Sequence, residues 1–349
     1  MYYDNQNPFE RDSYRDLMCK DARRAFSRVH FGIFAYVALP SLIAIIADVL
    51  LFLIAGDKYT AISENIYYQW MMGVLPMYVI GLPILYVIVR SMPTVKLEKS
   101  RLKVGEFLIL FTIAQAVMSV GNYIGNSLNE FFAVIKGDEI TNSTAELIDN
   151  SPIWLTLIIG VIVGPIIEEF IFRKLLIDRL AKYGAGITVF VSGFSFGLFH
   201  GNFYQFFYTA MLGILLAYIT VKTGNWIYSA VMHIIINFFG SIAIMPIIEM
   251  AEAFIAEVES MAAGGPVNAG IFIKCALASL SYAVFEYSLL IAGLVLLFLA
   301  FKNKWYKIKD TAEVNIPRED VFSVILLNTG TIVFIVLSLL LFAASVILY

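Results

Sequence analysis

The fold class that the sequence predicts is all-α: a polytopic integral membrane helical bundle of about nine transmembrane helices with a cytosolic N-terminus. Three observations predict it. First, 60% of the 349 residues are hydrophobic, only 15% are charged, and the mean hydropathy is +0.81. A soluble domain is about half apolar and a quarter charged, so this chain has too little polar surface to coat a water-soluble particle. Second, nine apolar runs have lengths suited to the roughly 20 residues of a membrane helix. Third, the loops between those runs alternate in charge. Of 24 Lys and Arg residues, 21 fall in the N-terminal segment and every second loop, and 2 fall on the opposite side. That asymmetry is the positive-inside signal, and it places the N-terminus in the cytosol.

In chain order, residues 1–30 are polar, carry both charges and lack a signal-peptide core, so they read as a cytosolic tail or amphipathic segment. Residues 31–125 hold three spans, at about 31–55, 69–90 and 104–125. Residues 150–247 hold four, at about 153–176, 184–201, 203–222 and 225–247. The middle pair is divided at Gly201-Asn202, because one unbroken helix would overshoot the bilayer. Residues 248–271 carry Glu249, Glu252, Glu257 and Glu259 with no base, as an external loop would. Residues 272–349 hold two more spans.

Composition also bounds function. Two cysteines cannot make a disulfide framework or a four-cysteine zinc site. A net charge of −3 gives no basic field for nucleic acid. The integral, multi-pass character and the lack of eukaryotic sorting signals fit a bacterial plasma membrane.

An ionised side chain in a span costs about 2.5–3.5 kcal/mol, so such residues face a partner or a cavity and mark function. The fourth run contains Gly164-Pro165-Ile166-Ile167-Glu168-Glu169, followed by Arg173. Glu169 and Arg173 are four apart and can pair on one helix face. Glu168 points about 100° away and is freer to face a pocket. The fifth run ends in Phe196-Gly-Leu-Phe-His200, and the seventh carries His233 and Asn237 on one face. Gly160-xxx-Gly164 and Gly193-xxx-Gly197 are small-residue lines that let membrane helices approach closely. If those two faces meet, Glu168 and His200 share a seam.

Two carboxylates, two histidines and an asparagine suit amide hydrolysis: a desolvated glutamate as base, a histidine holding water, and donors for an oxyanion. The same groups suit proton relay in a secondary transporter, with Pro165 breaking the helix. A non-catalytic peptide-binding or immunity scaffold is the third reading. Gly193-Phe-Ser195-Phe-Gly197 matches the Gly-x-Ser-x-Gly string, but within a span rather than at a strand-to-helix elbow. It leaves a dyad of Ser195 with His233 open. No His-Glu-x-x-His occurs.

Glu168-Glu169-xxx-Arg173, Phe196-xxx-His200 and His233-xxx-Asn237, in that order on separate spans, resemble the CPBP or Abi family of CAAX-protease and bacteriocin-processing intramembrane proteases. The family includes the type II CAAX prenyl endopeptidases, and the resemblance covers about residues 150–245. It implies that Glu168 is the general base and activates water with His200. It implies an oxyanion hole of His233 and Asn237, with Glu169 and Arg173 supporting them. It implies a peptide or protein substrate, lipidated in some members, met in membrane lipid. Family members have been described both as metallo enzymes and as using metal-free water, so either no cofactor or one divalent metal is expected. Glu168, His200 and His233 are the candidate zinc ligands.

Overall fold

The computed structural model describes residues 8–266 and 268–348, so the first seven residues of the predicted tail lie outside the described residues. Among the described residues there is no strand. Nine long helices make the bundle among the described residues: α1 (Pro8–Ala55), α2 (Ile66–Val89), α3 (Val104–Lys136), α4 (Ile153–Tyr183), α5 (Ala185–Phe199), α6 (Phe203–Thr223), α7 (Ile227–Ala262), α8 (Ala269–Lys302) and α9 (Thr329–Ile347). Eight of them are long and apolar enough to cross a membrane, which makes this a multi-pass integral membrane protein. α5 is the exception. Its 15 residues span about 22 Å, short of the roughly 30 Å of hydrocarbon.

The N-terminal segment is not a separate tail. It is continuous with the first span as one 48-residue helix. Asp16, Lys20, Asp21, Arg23, Arg24 and Arg28 are exposed, while Ala22, Phe26, Val29, Ile33 and Tyr36 recur at three- and four-residue spacing and are buried. That stripe packs on α9 and α2. At the α9 crossing, a Cβ on Gly330 would collide with the carbonyl of Ser27, and the Gly330 N–H donates to Ser27 Oγ at 2.9 Å. Arg15 closes the same seam on Asp320, with Nη2 2.7 Å from Oδ2.

The predicted break at Gly201-Asn202 is present. Gly201 has φ of +66°, and Asn202 caps α6 by accepting from the Gln205 N–H at 2.9 Å. The tight turn makes α5 and α6 an antiparallel hairpin, and this redirects the glycines. Gly193 and Gly197 pack against Ile214 and Ala210 of α6, not against α4 as expected. The α4 glycines instead face α2: a Cβ on Gly160 would lie 3.6 Å from Trp70, and one on Gly164 would lie 3.4 Å from Tyr78 Oη. Small-residue lines permit close approach without naming the partner. The hairpin turn decides it here.

The expected external loop at 248–271 also differs. α7 runs on to Ala262, because Pro246 falls in the first turn of its last stretch, where its missing N–H is tolerated, and the glutamates after it are good helix formers up to Gly264 at φ +73°.

Candidate active site

α4 carries the carboxylates at its middle. Pro165 has no N–H to donate back along the helix. The turns before and after the Glu168-Glu169 step, Thr156–Val163 and Phe170–Leu175, are wound wide as π-helix. Such local widening recurs at functional sites because it re-aims side chains. The two glutamates themselves sit in the α-helical turn between these stretches, Gly164–Glu169, where adjacent side chains diverge by about 100°. The Glu169 side chain is fully buried, whereas that of Glu168 keeps 21% of its surface.

Glu169 and Arg173 form the predicted pair, with Nε 3.1 Å from Oε2 and both side chains fully buried. The angle is not that of a hydrogen bond, so the contact is one of charge rather than a two-bond fork. Arg173 is held on its other side by α5. Its Nη1 donates to Ser192 Oγ at 2.9 Å, and Ser192 Oγ donates to the Phe172 carbonyl at 2.8 Å. The guanidinium also lies 5.0 Å from the ring centre of Phe196, a cation–π contact.

His233 joins the glutamates. Its Nδ1 lies 3.2 Å from Glu169 Oε1, and its Nε2 lies 3.8 Å from Glu168 Oε2. A carboxylate only accepts, so Nδ1 carries the proton and donates to Glu169. Nε2 therefore faces Glu168 across a gap longer than a hydrogen bond. The α4–α7 packing thus turns two separate motifs into one cluster.

His200 stands at the end of short α5. Its Nδ1 donates to the Phe196 carbonyl at 2.8 Å, which fixes the ring and leaves Nε2 as the acceptor of the neutral imidazole. It lies close enough to Glu168 and His233 to interact with both electrostatically. The shortness of α5 explains how a histidine at a helix end reaches a glutamate at the middle of α4. Phe196 is the wedge between the two histidines. It is fully buried and meets both rings edge-on, with centroids 4.8 Å from His200 and 5.7 Å from His233.

Asn237 is placed differently. Its Nδ2 donates to the Gly160 carbonyl at 3.1 Å, two turns from Glu168 along α4. Ser195 pairs not with His233 but with His30 of α1, Oγ to Nε2 at 3.0 Å, and it is 3% exposed. His30 Nδ1 meets Thr331 Oγ1 of α9 at 2.7 Å, so this polar trio ties α1, α5 and α9 together.

Three tyrosines that carry no sequence motif feel the charge of the carboxylate. Tyr36, Tyr78 and Tyr208 come from α1, α2 and α6, and each lies within electrostatic reach of Glu168. Aromatic residues are so frequent in this chain that no spacing singles these out. As for a metal, Glu168, His200 and His233 are not drawn into one ligand set: among the described residues, no three His, Cys, Asp or Glu side chains gather as a metal site. The donors as arranged do not fit a three-ligand zinc.

Comparison with known proteins concerns the same stretch of chain. The model of the family described as type II CAAX prenyl endopeptidase Rce1-like matches residues 150–239, the segment that holds all seven motif residues. YdiL of Bacillus subtilis (strain 168), assigned as a membrane peptidase, is 29% identical over 207 residues, which is 56% of this chain and 81% of that protein. The human protein named CAAX prenyl protease 2 is 26% identical over 133 residues, 32% of this chain and 39% of its own length. No solved structure matches. Residues 150–239 are therefore similar to the Rce1-like type II CAAX prenyl endopeptidases, the group that the three motifs resemble.

Proposed function

We propose that this protein is an intramembrane endopeptidase that hydrolyses a peptide bond with a glutamate-activated water. The observation that carries the reading is the contrast between the two glutamates. Glu169 is locked to Arg173 and His233, while Glu168 is part-exposed beside His233 Nε2. Glu168 takes a proton from water held between it and His200 Nε2, and the hydroxide adds to the scissile carbonyl. The oxyanion receives a hydrogen bond from His233 in its doubly protonated form, whose charge Glu169 offsets. Asn237 has a second amide hydrogen beyond the one given to Gly160, and that hydrogen is the other donor. When the C–N bond breaks, Glu168 passes its proton to the leaving amine. A neighbouring tyrosine, Tyr78 above all, steadies the water or the carbonyl.

The substrate is a peptide or protein segment presented from the membrane, prenylated and CAAX-like or of the bacteriocin or pheromone-precursor type. The resemblance to a CAAX prenyl protease and to a bacterial membrane peptidase supports this class and a bacterial plasma-membrane location. The test is to incubate purified wild-type protein in lipid nanodiscs with a quenched peptide library that includes farnesylated CAAX peptides, and to map products by mass spectrometry. Defined cleavage at one bond is expected. Proton-coupled peptide uptake into proteoliposomes without any cleavage would replace the peptidase by a transporter.

A further inference from the structure

A second cavity, of about 1100 Å³, lies among α3, α6, α8 and the segment after α8. None of the Glu168 cluster lines it, so the identity of its occupant is independent of the peptidase reading. Its walls are apolar, with Ile109, Ile113 and Val117 from α3, Ile214 and Leu215 from α6, and Leu297 from α8. Its mouth is polar and aromatic, with Glu106, Lys222, Trp305, Tyr306 and Lys307.

Depth and charge together point to the occupant. The mouth lies where α3 begins, at Val104, and where α6 and α8 end, at Thr223 and Lys302. From Glu106 to Val117 the wall descends eleven residues, about 16 Å of helix. That is roughly half of the 30 Å hydrocarbon thickness, or one leaflet. The acids at the mouth are already engaged. Asp310 Oδ1 accepts from the N–H groups of Ala185 and Ala312 at 3.2 and 3.3 Å, and Glu106 Oε2 accepts from the Lys103 N–H at 3.3 Å. The lysines are less so. Lys222 Nζ is 3.6 Å from Glu106 Oε1, a loose contact, and no carboxylate pairs with Lys307 among the described residues. Tyr218 Oη donates to the Trp305 carbonyl at 3.1 Å, which holds the segment after α8 across the mouth. Trp and Tyr at such a rim are where amphipathic rings settle at the headgroup level.

An apolar slot one leaflet deep with a cationic, aromatic mouth matches one class of molecule. We infer that this cavity is a binding site for a glycerophospholipid of the leaflet on the Lys- and Arg-rich side. Its acyl chain lies along α3 and α6, and its phosphate meets Lys222 and Lys307.

The full chain would be purified in mild detergent, stripped of lipid by extended washing, and titrated with palmitoyl-oleoyl phosphatidylglycerol under native mass spectrometry. One tightly retained phospholipid per chain is expected. Ile113→Trp and Leu215→Trp should abolish it by filling the slot. Leu280→Trp, on an α8 position that is 61% exposed, should not. Lys222→Gln and Lys307→Gln leave the packed walls untouched, so they report even if the Trp variants fail to fold. Each should weaken binding about fivefold. Retention unchanged in the lysine variants, equal affinity for palmitoyl-oleoyl glycerol, which lacks the phosphate, or retention of a farnesylated peptide but no phospholipid would each overturn the assignment.

Discussion

His233 Nδ1 donates to Glu169 Oε1 across 3.2 Å, and this one bond joins the seventh long helix to the carboxylate pair of the fourth. It orients the imidazole so that Nε2 faces Glu168. It also separates the duties of two adjacent glutamates. Glu169 is engaged by Arg173 and His233, while Glu168 keeps surface and meets only the far side of the His233 ring, at 3.8 Å.

That separation predicts opposite phenotypes. Glu168→Gln should lower peptide cleavage about 10²–10⁴-fold, the scale of a general base, with little change in thermal stability. Glu169→Gln leaves a buried guanidinium without its counter-charge and should cost about 3–5 kcal/mol. Thermal unfolding in nanodiscs, read beside cleavage rates, distinguishes the two.

Arg173 depends on Ser192 for its only side-chain hydrogen bond to α5, and Ser192 also satisfies the Phe172 carbonyl. Ser192→Ala should destabilise by about 1–3 kcal/mol by leaving buried polar groups unpaired. Urea or heat denaturation followed by intrinsic fluorescence would measure it.

Ser195 Oγ is engaged by His30 Nε2 at 3.0 Å, so the proposed mechanism gives it a fastening role. Ser195→Ala should retain cleavage within a few-fold, since its hydroxyl serves His30. His30→Ala should loosen the α1–α5–α9 junction and lower thermal stability, having lost both Ser195 and Thr331. Cleavage lost in Ser195→Ala at wild-type stability would restore a serine mechanism.

Tyr78 is the tyrosine with the firmest placement, its hydroxyl beside Gly164, one turn before Glu168. Tyr78→Phe should reduce kcat about 2- to 13-fold, the worth of one neutral hydrogen bond, without moving the unfolding midpoint. An unchanged kcat would remove Tyr78 from the site.

Much of the bundle and of the site was legible in the sequence. Glu169 and Arg173 pair because four residues return a helix to the same face, and the turn at Gly201-Asn202 was marked by its own residue types. Three things were not legible. The N-terminal segment read as either a tail or an amphipathic segment, and its average polarity hides the stripe of Ala22, Phe26 and Val29 that decides for the second. The glycines of α5 announced a close approach but not that α6 was the partner. Tyr36, Tyr78 and Tyr208 converge from three helices, and only the packing assembles them.

The most direct test of the central claim is the initial rate of cleavage by Glu168→Gln, normalised to folded protein, on a peptide that the wild type cleaves. A loss of about 10²–10⁴-fold, with the unfolding midpoint unchanged, is the result that a Glu168 base requires. A rate within a few-fold of wild type would contradict it and move the catalytic role to another residue.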